Sequence, residues 1–363
     1  MRFVSRKTGL AAAMIGISAL TLSACGAAPE ESAANSENSD YIGCIVSDSG
    51  GFDDQSFNES SYRGLQNAKK DLGIQTREAE SKEVSDFEPN LQGMMSAGCN
   101  LTVTVGFLLA DATEKTANAN PDKHFAIVDN QYKEPIKNVK PIIYDTAQAA
   151  YLAGYVAAAT SKTGTVATFG GIKIPTVTIF MDGFADGVAK YNEDKGKNVK
   201  LLGWDKDKQD GTFTGDFEKQ DKGKQVTKNF LSAGADVVMP VAGPVGKGAG
   251  AAIKEANKAG SDAMLVWVDS DGYLTAPDYK DIMLTSVIKT MDQAVEDVIT
   301  ADTKGEFSAD PYIGTLENTG VDIAPYHDFD SKVSDETKQE VEALKQAIIS
   351  GDLKVESPAS PKK

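Results

Sequence analysis

Ser47-Asp48-Ser49-Gly50-Gly51-Phe52-Asp53-Asp54-Gln55-Ser56-Phe57-Asn58 joins an apolar run, Tyr41 to Val46, to an amphipathic pattern over residues 54–72. An acid at the end of a strand, two glycines that free the backbone to turn, and a helix start presenting Phe57 with Asn58 describe a ligand-binding turn. Outward from it, short β-branched runs recur at 74–79, 101–105, 124–128, 140–144, 164–169, 199–203, 236–241, 264–268 and 282–287. Helical patterns separate many of them, at 86–97, 109–119, 146–160, 176–192, 222–233, 246–259 and 288–301. That alternation predicts βαβ units, parallel sheets and right-handed crossovers, an α/β fold. Ten strands exceed one comfortable sheet, so two lobes are expected, the second opening at the small-residue helix Ala147 to Thr160. A last helix runs from its N-cap Ser334 to Ile349 and stops at Gly351, and the polar stretch after it reads as a loose tail.

In an open parallel sheet, ligands bind beyond the carboxyl ends of the strands, where loops and helix starts converge. The residues found there are Asp48, Asp129-Asn130, Ala242-Gly243, Asp269 and, just past the 282–287 run, Lys289. Each acid alone is more simply a turn or cap residue. Together they describe a polar ring suited to a hydroxyl-rich, nitrogen-bearing ligand. Phe57 and Phe180 lie near helix starts; each alone reads as core, but as a pair in one cleft they would sandwich a flat ring.

Catalysis finds little material. His124 and His327 are the two histidines, and neither has metal-ligand spacing, so no metal or catalytic residue is assigned. A nucleoside hydrolase using Asp48 or Asp129 to activate water would lack a base tuned near neutrality. Gly243-Pro-Val-Gly246-Lys247-Gly248-Ala-Gly250 has no phosphate-loop spacing. The acidic stretch Asp205–Lys224 reads as a surface loop, and its glycine falls at the wrong position for a calcium loop.

The front of the chain carries Arg2, Arg6 and Lys7, an uncharged stretch from Gly9 to Leu22, and Leu22-Ser23-Ala24-Cys25. This is a secretory signal over residues 1–24 ending in a lipobox-like site, with Cys25 the expected lipid acceptor. Residues 25–40 then form a flexible tether, reaching roughly 20 Å. Removing residues 1–24 takes away three basic residues and moves the formal charge from −16 to −19, which argues against nucleic acid as a partner. Cys44 lies in the first strand and Cys99 just before the Leu101–Val105 run, so a disulfide is sterically allowed if those strands are neighbours; two buried thiols are the alternative.

The Asp48–Asn58 motif, the Val128-Asp129 strand end, Gly183-Phe184 after Phe180, Pro240-Val-Ala-Gly243, Val268-Asp269-Ser-Asp271 and Ile288-Lys289 together resemble the BMP family of basic membrane lipoproteins, related to purine nucleoside receptor A. The resemblance runs from about Tyr41 to Gly351. It implies a type I periplasmic-binding-protein fold: two Rossmann-like lobes, three hinge crossovers, no cofactor and no enzymatic activity. It further implies a monomeric, lipid-anchored protein on the extracytoplasmic face of the cell membrane, delivering a nucleoside, by expectation a purine, to an ABC permease. By that resemblance Phe57 and Phe180 stack on the base, Asp48, Asn58 and Asp129 bond its edge, and Gly243, Asp269 and Lys289 hold the ribose, with Asp271 a rival to Asp269. It assigns residues 41–145 plus about 273–320 to the first lobe, 146–272 plus about 321–351 to the second, and 352–363 to the tail. A sugar or signalling-molecule receptor of the same fold is the alternative.

Overall fold

The computed structural model describes residues 38–362; the expected signal sequence, Cys25 and all but the last residues of the tether lie outside the described residues. The chain alternates as the apolar periodicity demands: β1 (Ile42–Ser47), α1 (Phe57–Leu72), β2 (Gln75–Ala79), α2 (Phe87–Ser96), β3 (Leu101–Val105), α3 (Ala110–Ala119), β4 (His124–Val128), β5 (Val139–Tyr144) and α4 (Thr146–Thr160). It continues through β6 (Thr165–Gly170), α5 (Pro175–Lys195), β7 (Lys200–Leu202), β8 (Trp204–Asp205), β9 (Asp210–Gly211), α6 (Gln220–Ser232), β10 (Val237–Val241), α7 (Val245–Lys258) and β11 (Met264–Asp269). The last elements are α8 (Gly272–Thr275), β12 (Met283–Lys289), α9 (Met291–Thr303), β13 (Tyr312–Gly314), β14 (Val321–Ile323) and α10 (Asp335–Ser350). Among the described residues no helix is long and apolar enough to cross a membrane.

Two six-stranded sheets form, ordered β13-β5-β4-β3-β1-β2 and β14-β12-β11-β10-β6-β7. Every pairing in them is parallel except β12 with β14. The inner strands β3 and β10 are buried along their whole length, as strands covered on both faces must be. The edge strand β2 has no fully buried residue. In the first sheet the strand order reverses beside β1, between β1 and β3; in the second it reverses beside β6, between β6 and β10. These two switch points open crevices at their carboxyl ends, and the lobes turn them toward each other.

The chain passes between lobes three times, which is the type I periplasmic-binding-protein arrangement. The first passage is at Asp145, and the third lies between β13 and β14. The second, expected near residue 272, comes after Lys289: β12 lies between β11 and β14, buried over nearly its whole length, and so belongs to the second sheet. Nothing in its apolar run distinguishes one parallel sheet from the other.

Two helix contacts set the lobes' rigidity. In α4 and α5, Gly154 lies against the Phe184 carbonyl, Gly183 against the Ala147 carbonyl and Gly187 against the Tyr151 carbonyl, so any Cβ at these glycines would overlap the facing backbone. In the first lobe Gly64 of α1 meets the backbone of Asp292 in α9 in the same way. Cys44 of β1 and Cys99 before β3 are joined in a disulfide, with Cα atoms 6.0 Å apart and a sequence separation of 55. A loop that long is worth about 4 kcal/mol in the chain-entropy description.

Two expectations are corrected here. Residues 205–224 are more than a surface loop: β8 and β9 form a hairpin, Phe213 and Phe217 press on Gly170 and Gly171, and Trp204 donates its indole N–H to Asp182 at 2.9 Å. The tail after residue 351 is docked, with Val355 buried, Ser357 Oγ donating to Asp182 at 2.6 Å and Ser360 Oγ donating to Asp145 at 3.2 Å. Short hydroxyl side chains facing one buried and one half-buried carboxylate hold a segment whose composition alone reads as coil.

Candidate functional site

Helix α1 starts where it does because Asp54 caps it. The Asp54 carboxylate accepts from the backbone N–H groups of Ser56 (2.9 Å), Asn58 (2.8 Å) and Glu59 (3.0 Å), and Gly73 closes the other end with a left-handed φ of 69°. Asp48 ends β1, and its carboxylate occupies the space a Cβ on Gly106 would take, so the β3 turn admits only glycine there. The Asn58 side chain donates from Nδ2 to Asp48 Oδ1 at 3.2 Å and to the Ser49 carbonyl at 3.4 Å. Those two acceptors fix the amide orientation, and Asn58 Oδ1 is left buried and accepting no hydrogen bond.

From the facing lobe, β11 brings Asp269 and β12 brings Lys289. The Lys289 ammonium lies 2.5 Å from Asp129 Oδ2, across the cleft, and 3.4 Å from Asp269 Oδ1. It also lies 5.1 Å from the ring centres of both Phe57 and Phe180. The two rings, one from each lobe, therefore flank a single point where the acid–lysine–acid bridge ends. Asp129 and Asp269 hold left-handed backbone, φ 64° and 71°, uncommon for residues other than glycine. Gly243, φ 51°, sits at the β10 tip with open space where a Cβ would be.

Four buried carboxylates and one ammonium share this cleft. Burial pushes Asp48 well above the usual carboxylate range, partly opposed by the Asn58 amide. Burial likewise raises Asp54 to about 6 against its three backbone donors. Asp129 is raised by burial although Lys289 pulls it down, and Lys289 itself is held above its ordinary value by Asp129 and Asp269 despite its own burial.

All eight residues expected at the site, Asp48, Phe57, Asn58, Asp129, Phe180, Gly243, Asp269 and Lys289, line one cavity of about 60 Å³ between the lobes. Asp271 does not: it caps α8 and bonds His327 at 2.8 Å. Asp129, which the resemblance put at the base edge, is bonded to the Lys289 ammonium in this structure. Asp54, Thr176 and Phe217 also line the cavity and were not read from sequence.

The lobes are closed on each other. Ser56 Oγ donates to the Val268 carbonyl at 3.0 Å and to Asp269 Oδ2 at 3.1 Å. The carbonyl of Gln55, whose own φ is 63°, is met by Trp267 Nε1 at 3.2 Å, Ser270 Oγ at 3.0 Å and Thr275 Oγ1 at 2.8 Å. A cavity of this size holds only a few waters, so a larger ligand enters by separating the lobes.

Residues 43–358 match the family described as ABC transporter substrate-binding protein PnrA-like. The chain belongs to this family. The PnrA-like match is accompanied by a CD4+ T-cell-stimulating antigen of Listeria innocua, 33% identical over 96% of this chain and 98% of that one. An ABC transporter nucleoside-binding protein, BmpA, of Lactococcus lactis is 30% identical over 97% of this chain and 99% of its own length. A solute-binding protein of an ABC transporter system from Aeropyrum pernix superposes with a TM-score of 0.80 at 25% identity, covering 88% of this chain and 94% of that one. This PnrA-like protein is thus a substrate-binding protein of the ABC transporter family.

Proposed function

We propose that the cleft binds a nucleoside and presents it, with the lobes closed, to an ABC permease. The observation that carries the reading is the Asp129–Lys289–Asp269 bridge lying between two phenylalanine rings from opposite lobes. A planar base between Phe57 and Phe180 would gain about 0.5–1.5 kcal/mol per ring beyond the area it buries. Asn58 Oδ1 offers an acceptor for a donor on the base edge, and a protonated Asp48 offers both donor and acceptor. Asp269, Lys289 and the Gly243 turn are suited to vicinal ribose hydroxyls, because charged partners make the stronger hydrogen bonds. The lipobox ending in Cys25 supports attachment to the membrane by lipid, outside the cytoplasm. The name of the Lactococcus relative supports the nucleoside class.

Calorimetric titration of residues 26–363 with adenosine, guanosine, inosine, cytidine, uridine and free ribose tests this. We expect at least one nucleoside, a purine first, to bind at micromolar affinity or better and ribose far more weakly. Ribose as tight as every nucleoside, or no nucleoside bound, overturns the reading. Asp269→Ala should weaken the ribonucleoside by about 1.5–3 kcal/mol more than its 2′,3′-dideoxy analogue, since the loss of the Ser56 closure contact is common to both.

A further inference from the structure

Residues 352–362 leave the last helix and run along the second lobe to the hinge. The Leu353 N–H donates to the Ala347 carbonyl at 2.9 Å, Val355 is buried, the Lys206 ammonium donates to the Glu356 carbonyl at 2.7 Å, and Ser357 Oγ donates to Asp182 of α5 at 2.6 Å. Ser357 also accepts twice, at Oγ from the Ala359 N–H and at its carbonyl from the Ser360 N–H, each at 3.0 Å. The chain therefore turns at Ser357, and the turn brings Ser360 to Asp145.

Asp145 lies where the first and third passages between the lobes are tied together. Its N–H donates to the Gly314 carbonyl at 2.8 Å, extending the β5–β13 ladder by one bond. Its Oδ2 accepts from Gln148 Nε2 at 3.0 Å, and Gln148 Oε1 accepts from the Leu316 N–H at 2.9 Å. Ser360 Oγ donates to the other carboxylate oxygen, Oδ1, at 3.2 Å. Among the described residues this is the one hydrogen bond from residues 352–362 that leaves the second lobe. Around it the segment has room: residues 358–362 line a cavity of about 540 Å³ whose lining includes Gln131, Tyr132 and Lys133 of the first lobe. A hydrogen bond weakens steeply as its geometry departs from the favoured range, so a single tie across a pivot is made at one angle and lost at others.

We infer that residues 352–362 are a hinge strap: anchored on the second lobe through Val355 and Ser357, they hold Asp145 through Ser360 and favour the angle at which the lobes are closed. No residue of the strap lines the ligand cleft, so it acts on binding through the population of the closed form. The inference depends on movement of the lobes alone and stands whether or not the ligand is a nucleoside.

The distance between the lobes tests it without a ligand. In residues 26–363 the two remaining cysteines are bridged to each other, so spin labels can be placed at Lys70→Cys and Lys258→Cys, exposed positions near the ends of α1 and α7 in opposite lobes. Pulsed electron–electron double resonance then gives the ratio of closed to open forms, and the unliganded parent should populate the closed separation. Ending the chain at Glu356 removes Ser357 and Ser360 and keeps Val355; it should lower that ratio about fivefold or more. Ser360→Ala, which removes a single hydroxyl, should lower it about threefold. Urea unfolding separates a strap from simple packing. A shortened chain that loses stability and keeps the parent's distance distribution, or a Ser360→Ala chain with an unchanged distribution, overturns the inference. If the shortened chain fails to fold, Ser360→Ala alone decides.

Discussion

Replacing Lys289 with methionine keeps the aliphatic stem and removes the charge, which makes the role of the bridge measurable. Lys289 is the one cation lining the cleft among the described residues, and four carboxylates share that lining. Its bond to Asp129 crosses from the second lobe to the first, so the substitution acts on the closed form and leaves each lobe's own core intact. Taking one partner from a buried ion pair costs about 3–5 kcal/mol, because the other charge is stranded. Closure is coupled to binding, so Lys289→Met should weaken the tightest nucleoside by roughly two to four decades at pH 7. Asp129→Asn alone forfeits one charged hydrogen bond, about 1.5–3 kcal/mol. In the double variant nothing is stranded at that place, and its loss should fall short of the sum of the single losses by more than about 1 kcal/mol. The pH dependence has a definite sign. Burial already raises Asp129, and without the lysine it rises further; an acid with a raised pKa disfavours the closed form at high pH and is relieved as the pH falls and it takes a proton. The deficit of Lys289→Met should therefore shrink from pH 7 to pH 5. Calorimetry on the four proteins, with urea unfolding to confirm that the lobes remain folded, decides it. Affinity within about threefold of the parent, or strictly additive losses, refutes the reasoning.

Two further outcomes are expected. Ser270→Ala combined with Thr275→Val removes two of the three donors on the Gln55 carbonyl, about 1–3 kcal/mol of closure; because Trp267 is one of two tryptophans and supplies the third donor, its emission should move to the red as the cleft opens, and an unchanged spectrum with unchanged affinity would contradict the latch. Asp54, raised from 3.8 to about 6, gives up stability as the pH climbs between those values, so the unfolding free energy in urea should be about 1 kcal/mol higher at pH 5 than at pH 7 on its account; an equal slope in Asp54→Asn would assign the dependence to other groups.

The parallel architecture and the strand-tip acids were legible because both follow from local periodicity: apolar runs of strand length, helical patterns between them, and a polar residue where each strand must end. The crossover after Lys289 was not, since an apolar strand such as β12 carries no mark of which sheet will accept it. Asp54 was hidden in plain composition. It lies inside the opening motif, but its function depends on the helix start at Phe57, which turns three backbone N–H groups onto one carboxylate. Phe217 reaches the cleft only because a hairpin 40 residues downstream folds back on Gly170 and Gly171, whose missing side chains leave the room. The Gln55 latch joins residues more than 200 positions apart and leaves no local pattern to read.

The helix pair α4 and α5 has a mechanical consequence. Where two backbones touch through glycine, no layer of side chains lies between them to absorb displacement by changing rotamer. One end of this stiff unit, the start of α4, sits on the first passage between lobes, and α5 carries Thr176 and Phe180 in its opening turns. Torque at the pivot therefore reaches the Phe180 ring as motion of a lever, with no slack in the linkage. A methyl group at Gly154 or Gly183 would act as a shim, resetting the angle at which the jaws meet and so the fit around a ligand it never touches.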